Sequence, residues 1–175
     1  MTDPVELRRG DISDLPALEP LWVSVHHHHA ASMPELAPYV DDATTWVERS
    51  GVYRELLAKA GTILVLAEER GTAIGYGLAH VMPASGSWAA DTWATGPRIG
   101  EIESLAVLPQ RRGSGIGTRL LDALETALAA AGVEDLLLGA LPGNAAAIRL
   151  YERHGFQPTW LYLSRFAGRR AGESR

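Results

Sequence analysis

RRGSGIGT, residues 111–118, places glycines at 113, 115 and 117 between two apolar segments of different period. Upstream, GEIESLAV (100–107) reads as a strand that Pro109 stops. Downstream, Ile116, Leu120, Leu121, Leu124 and Leu128 recur at helical spacing until Gly132 closes the helix. Glycine at a strand-to-helix turn removes Cβ atoms where the backbone bends sharply. The first N–H groups of the helix have no intrahelical partner, and with the helix dipole they make a site for a phosphate or pyrophosphate. A dinucleotide fingerprint starting at Gly113 would need glycine at 118, where Thr118 stands, and a P-loop would need a Gly-Lys-Ser/Thr triplet that the chain lacks. The plain alternative is a glycine-rich helix start that binds nothing.

Working outward, VELRR (5–9) reads as a first strand. Ser13 is a candidate N-cap with Pro16 in the first turn, and Leu15, Leu18, Trp22, Val25 and His29 form a helical stripe. A second helical region covers about 42–60. TILVLAEE (62–69) and TAIGYGLAHVM (72–82) are strands around Arg70-Gly71, followed by a long loop, 83–98, that contains Trp88 and Trp93. EDLLLGAL (134–141) has the continuous apolar character of a strand buried on both faces. Asn144 caps the next helix, Gly155 ends it, and PTWLYLSRF (158–166) reads as the last strand. No repeat or linker divides the chain, so residues 1–167 are expected to form one domain, with 168–175 as a polar, flexible tail. The alternation of strands and helices argues for an α/β mixed sheet.

Composition narrows the function classes. A formal net charge of −5 argues against nucleic acid as the main partner, because phosphate binding needs a basic surface. The chain has no cysteine, so disulfides, thiolate zinc sites and a thiol nucleophile are excluded. The polar start and the lack of any long apolar run point to a cytoplasmic protein with no membrane partner.

A second motif lies at GNAAAIRLYERHGF, 143–156. The two motifs together resemble the GNAT superfamily of acyl-CoA-dependent N-acyltransferases. The first matches its R-x-x-G-x-G/A pattern after a V-x-P-like turn, at Val107 to Gly117. The second matches N-x-x-A-x-x-L-Y-x-x-x-G-F at Asn144, Ala147, Leu150, Tyr151, Gly155 and Phe156. The resemblance implies a three-layer α/β fold with helices on both faces and a central mixed, twisted sheet. That sheet is splayed between the fourth and fifth strands (100–107 and 134–141), with acetyl-CoA in the gap. It implies pyrophosphate on the backbone of Arg112, Gly113, Ser114, Gly115, Ile116, Gly117 and Thr118. The pantetheine arm is then expected along Leu105, Ala106 and Val107. Asn144 would touch the same arm or cap its helix, and both readings stand.

Acetyl transfer to a primary amine requires that the amine lose a proton, that the oxyanion meet a donor, and that the leaving thiolate be quenched. Without cysteine, direct attack in a ternary complex replaces an acyl-enzyme. Tyr151 matches the family's general acid; its plain alternative is a core tyrosine. Glu103 and Glu101 share a strand face by the period of two, and Glu103 is the candidate base, its alternative being a solvated strand-end carboxylate. The glutamate that some members carry before the second motif is absent, since the region reads Leu138-Gly139-Ala140-Leu141. The resemblance directs the acceptor, a small-molecule or peptide amine, to residues 25–40 and to the loop with Trp88 and Trp93. Within the run His26-His27-His28-His29, the helical register allows His26 or His29 to face that site, or leaves His29 at the core edge and the others in solvent. Four consecutive helical residues cannot converge on one ion, and no metal is expected. A non-catalytic acyl-CoA-binding domain is the alternative to the enzyme. The family commonly ends with two strands, whereas one remains here, so the last is either missing or supplied by a second copy in a homodimer.

Overall fold

A computed structural model describes residues 4–166; the tail from 168 lies outside them. The elements run β1 (Glu6–Gly10), α1 (Glu19–Ser32), α2 (Asp42–Leu57), β2 (Ile63–Glu69), β3 (Thr72–Pro83), β4 (Arg98–Val107), α3 (Ile116–Ala130), β5 (Leu136–Leu138) and α4 (Ala145–Arg153). The strands form one sheet in the order β1-β2-β3-β4-β5, antiparallel from β1 to β4 and parallel between β4 and β5. It is a mixed sheet with a helical layer on each face.

Strand alternation creates the two cores. In β2, Ile63, Val65 and Ala67 pack with Ile116, Leu120, Leu121, Leu124 and Leu128 of α3. Leu64 and Leu66 point the other way, into Leu18, Leu21, Trp22, Tyr53 and Leu56 around α1 and α2. Because both faces are covered, β2 is apolar without interruption from Ile63 to Ala67. Arg70 and Gly71, both at positive φ, make the tight β2–β3 connection.

Three elements differ from the sequence reading. The N-cap before α1 is Asp11, not Ser13. Its carboxylate accepts from the Ser13 N–H at 2.7 Å, and Asp14 returns the bond to the Asp11 N–H at 3.0 Å. Ile12–Leu18 is a 3-10 helix rather than the start of α1. The strand expected over 134–141 contracts to Leu136–Leu138 and is half-buried, because the chain leaves the sheet after Leu138. The expected last strand, 158–166, has no regular secondary structure and joins no sheet among the described residues. There Leu161, Tyr162 and Leu163 are exposed. No helix among the described residues is long and apolar enough to cross a membrane.

Candidate active site

The pairing of β4 with β5 covers only Gly100↔Leu136, Glu101↔Leu137 and Ile102↔Leu138. Beyond it the strands diverge, and the gap opens into a cavity of about 1000 Å³. Its walls include Glu101 to Val107 of β4, the glycine loop, Asn144 and Tyr151 of the second motif, and the C-terminal half of α1. The unpaired edge of β4 offers backbone donors and acceptors to anything extended that lies beside it.

Glu103 sits on a β-bulge. Ser104 pairs with Leu78 and Ile102 with Ala79, so Glu103 is the extra residue. A bulge breaks strict alternation, and Glu103 and Ser104 both turn toward the α1–α2 face. Glu103 accepts from Arg49 Nη1 of α2 at 2.5 Å. Ser104 Oγ lies 2.5 Å from Tyr53 Oη, which lies 2.8 Å from Tyr76 Oη. Burial pushes the Tyr53 and Tyr76 phenols up, so this buried hydroxyl chain stays neutral. Leu105 and Val107 pack toward α3, and Ala106 toward α1.

Glu101 shares the Glu103 side, as the period of two predicted. Oxygens of both carboxylates and a ring nitrogen of His80 lie within 4.8 Å of one another, with His80 Nε2 3.5 Å from Glu101 Oε2. Arg49 was missed from sequence. Its guanidinium lies 4.1 Å from the centroid of the Trp22 ring and 5.5 Å from that of Tyr53.

In the glycine loop, Gly113 (φ +76°) and Gly115 (φ +82°) adopt the left-handed conformation. Arg112 Nε donates to the Val107 carbonyl at 3.1 Å and its Nη2 to Ser24 Oγ at 3.3 Å. Burial lowers the Arg112 pKa from its ordinary value. Arg111 is ion-paired with Glu69, and Ser114 Oγ donates to the Arg111 carbonyl at 2.6 Å. The first intrahelical bond of α3 runs from the Arg119 N–H to the Gly115 carbonyl, 3.0 Å. The helix therefore leaves the N–H groups of Ile116, Gly117 and Thr118 unpaired. Arg111, Arg112, Gly113 and Gly117 line the cavity, while the Ile116 side chain is buried in the α3 core.

Tyr151 lines the cavity, packs edge-to-face on Phe156 at 6.0 Å, and has a phenol pushed up by burial. Its hydroxyl has no hydrogen-bond partner among the described residues. Asn144 Oδ1 accepts from the Ala147 N–H at 3.3 Å as helix cap and lies 3.1 Å from His28 Nε2, which donates to it.

The histidines separate by register. His28 and His29 line the cavity. His26 does not: it is buried, with Nε2 2.8 Å from the Val40 carbonyl. His27 faces solvent and pairs with Asp42 at 2.8 Å. His29 stands edge-on to Trp22 at 6.2 Å; burial, then the charges of His28, His26 and Arg49, lower its pKa to about 4. Trp88 and Trp93 also lie outside the large cavity. They pack edge-to-face with each other at 5.6 Å and with Trp160 at 5.9 and 6.0 Å, over a small pocket against Leu136 and Leu137 of β5. Of that trio, Trp160 alone reaches the large cavity.

A splayed mixed sheet with a glycine loop at the mouth of the splay defines a class, and comparison with known proteins agrees with it. The sequence model of the acetyltransferase (GNAT) family matches residues 22–156, and the chain belongs to that family. It is 32% identical over 102 residues to an IAA acetyltransferase of Azospirillum brasilense, covering 58% of this chain and 59% of that protein. It is 37% identical over 91 residues to a mycothiol acetyltransferase of Thermobispora bispora, covering 52% of this chain and 28% of the relative. The matches thus span less than two thirds of the length of each of these two relatives. Among solved structures, a predicted acetyltransferase of Clostridium acetobutylicum, crystallised with acetyl-CoA, superposes with a TM-score of 0.67 at 23% identity, over 92% of this chain and 96% of that one.

Proposed function

We propose that the chain moves an acetyl group from acetyl-CoA to a primary amine by direct attack in a ternary complex. The observation that carries this reading is the splay, where the unpaired edge of β4, the glycine loop and Tyr151 face one cavity. Pyrophosphate would rest on the backbone of 112–118, and pantetheine would pair along Leu105, Ala106 and Val107. In the step itself, the amine nitrogen bonds to the thioester carbon, a β4 N–H meets the oxyanion, and the C–S bond breaks. Glu103, directly or through water, takes one proton from the ammonium before attack, and the second leaves the nitrogen to solvent as the tetrahedral intermediate collapses. Tyr151 gives its proton to the departing thiolate and regains one from solvent. A phenol kept neutral by burial suits that role.

CoA release from acetyl-CoA across a panel of amines tests the reading. Tyr151→Phe is expected to lower kcat by about 100-fold or more while acetyl-CoA binding persists. Normal turnover in that variant would remove Tyr151 as the acid. Binding of acetyl-CoA without amine-dependent release would favour a non-catalytic acyl-CoA-binding domain. The exposed apolar segment 160–163 supports a homodimer in which a second copy completes the sheet; a monomer by light scattering would contradict it.

A further inference from the structure

Arg49 carries a charge that a simple amine acceptor does not need. It lines the cavity on the side of Glu101 and Glu103, and a cation there repels an incoming ammonium. Its position is nevertheless built. The guanidinium carbon lies over the Trp22 ring, and the 2.5 Å bond to Glu103 ties down one end of the group. A guanidinium has five N–H donors. Glu103 engages Nη1, and the remaining donors have no acceptor among the described residues. The side chain is 27% exposed, so these donors are open to a ligand rather than sealed in the core. A planar fork with free donors is matched by a carboxylate, which it binds bidentately.

Two opposite charges in contact are complementary to a ligand whose own opposite charges are adjacent. An α-amino acid has that arrangement, with ammonium and carboxylate on one carbon. We infer that the acceptor is a free α-amino acid: Arg49 holds its carboxylate, and Glu103 faces its amine. The inference rests on the acetyl-transfer reading above and deepens it. The reaction is the same step: the N–C bond forms and the C–S bond breaks, one ammonium proton leaves through Glu103 and the second to solvent, and Tyr151 protonates the thiolate. The product is an N-acetyl amino acid. It keeps the carboxylate that Arg49 holds but has lost the positive charge that Glu103 attracted. Trp22 and His29, beside Arg49, form the wall nearest the bound carboxylate.

The test is CoA release from acetyl-CoA with the twenty L-amino acids, each paired with the amine left when its carboxylate is removed. The best amino acid is expected to exceed its paired amine in kcat/KM by about 30- to 100-fold, the size of a charge-assisted bond to a positioned fork. Arg49→Gln should bring that ratio toward one, and Arg49→Lys should retain part of it. A wild-type ratio near or below one overturns the inference, as does an R49Q variant that lowers both members of the pair equally. The wild-type ratio decides the matter even if R49Q fails to fold. Turnover of amines but of no amino acid overturns the inference and leaves acetyl transfer standing. Release with no acceptor of either kind overturns both.

Discussion

The three glycines of the loop 111–118 should respond to alanine with opposite signs. Gly113 and Gly115 stand at φ +76° and +82°, and a Cβ at either meets nothing within 4 Å. The cost there is conformational rather than steric, roughly 1–2 kcal/mol for an L-residue held left-handed. In a chain of this size that lowers Tm by about 2–8 °C. Gly117 lies inside α3 without a positive φ, and its Cβ would sit 3.5 Å from Leu150 Cδ2 and 4.0 Å from Val107 Cγ2, which is ordinary contact. Gly117→Ala should therefore gain about 0.5–1 kcal/mol from the helical preference for alanine. The ligand reverses that advantage. The open space at Gly113 and Gly115 and the cavity wall at Gly117 are where the pyrophosphate is proposed to lie, so all three variants should bind acetyl-CoA at least about 10-fold more weakly. Thermal unfolding with and without acetyl-CoA, beside calorimetric titration, reads both quantities. A destabilised Gly117→Ala, or Gly113→Ala and Gly115→Ala that unfold and bind as wild type, would refute the reasoning.

Other outcomes follow from single contacts. Gly143→Ala should lower stability by about 1–3 kcal/mol, measured by urea unfolding, because its Cβ would lie 2.2 Å from the Ser32 carbonyl oxygen at the end of α1. His29 has a folded pKa of about 4 against an ordinary 6.5. Protonation thus favours the unfolded chain, and the stability tied to neutral His29 is full above pH 6.5 and lost as pH falls toward 4. Discounted for its partial exposure, the loss is about 1–2 kcal/mol. Urea midpoints at pH 7 and 5 should converge in His29→Gln relative to wild type, and an NMR titration placing His29 near 6.5 would contradict the assignment.

Much of the site could be read in the chain because it is local. The α3 stripe, the glycine turn and the Asn144 cap each depend on neighbours within a few residues, and all appear as expected. Tertiary features could not be read this way. The stripe Leu15, Leu18, Trp22 and Val25 packs into one core, and His29 continues it against Trp22. The burial of His26, however, depends on the Val40 carbonyl arriving from another segment, which register alone does not show. The bulge at Glu103 leaves no mark in a sequence already rich in glycine and charge. Arg49 looks like any solvated arginine on a helix until Trp22 and Glu103 arrive from other elements. Segments 134–141 and 158–166 are equally apolar whether paired or not, since β propensity describes a fit to neighbours and not a partner. The trio of Trp88, Trp93 and Trp160 likewise required residues distant in sequence to meet.

The most direct test of the account is a crystal structure of the protein with acetyl-CoA. It should show pyrophosphate oxygens within hydrogen-bond distance of backbone N–H groups between Arg112 and Thr118. The pantetheine arm should pair with β4 over Leu105–Val107, and the thioester sulfur should lie within reach of the Tyr151 hydroxyl. Acetyl-CoA bound outside the gap between β4 and β5, or in it with the pyrophosphate away from the glycine loop, would contradict the account.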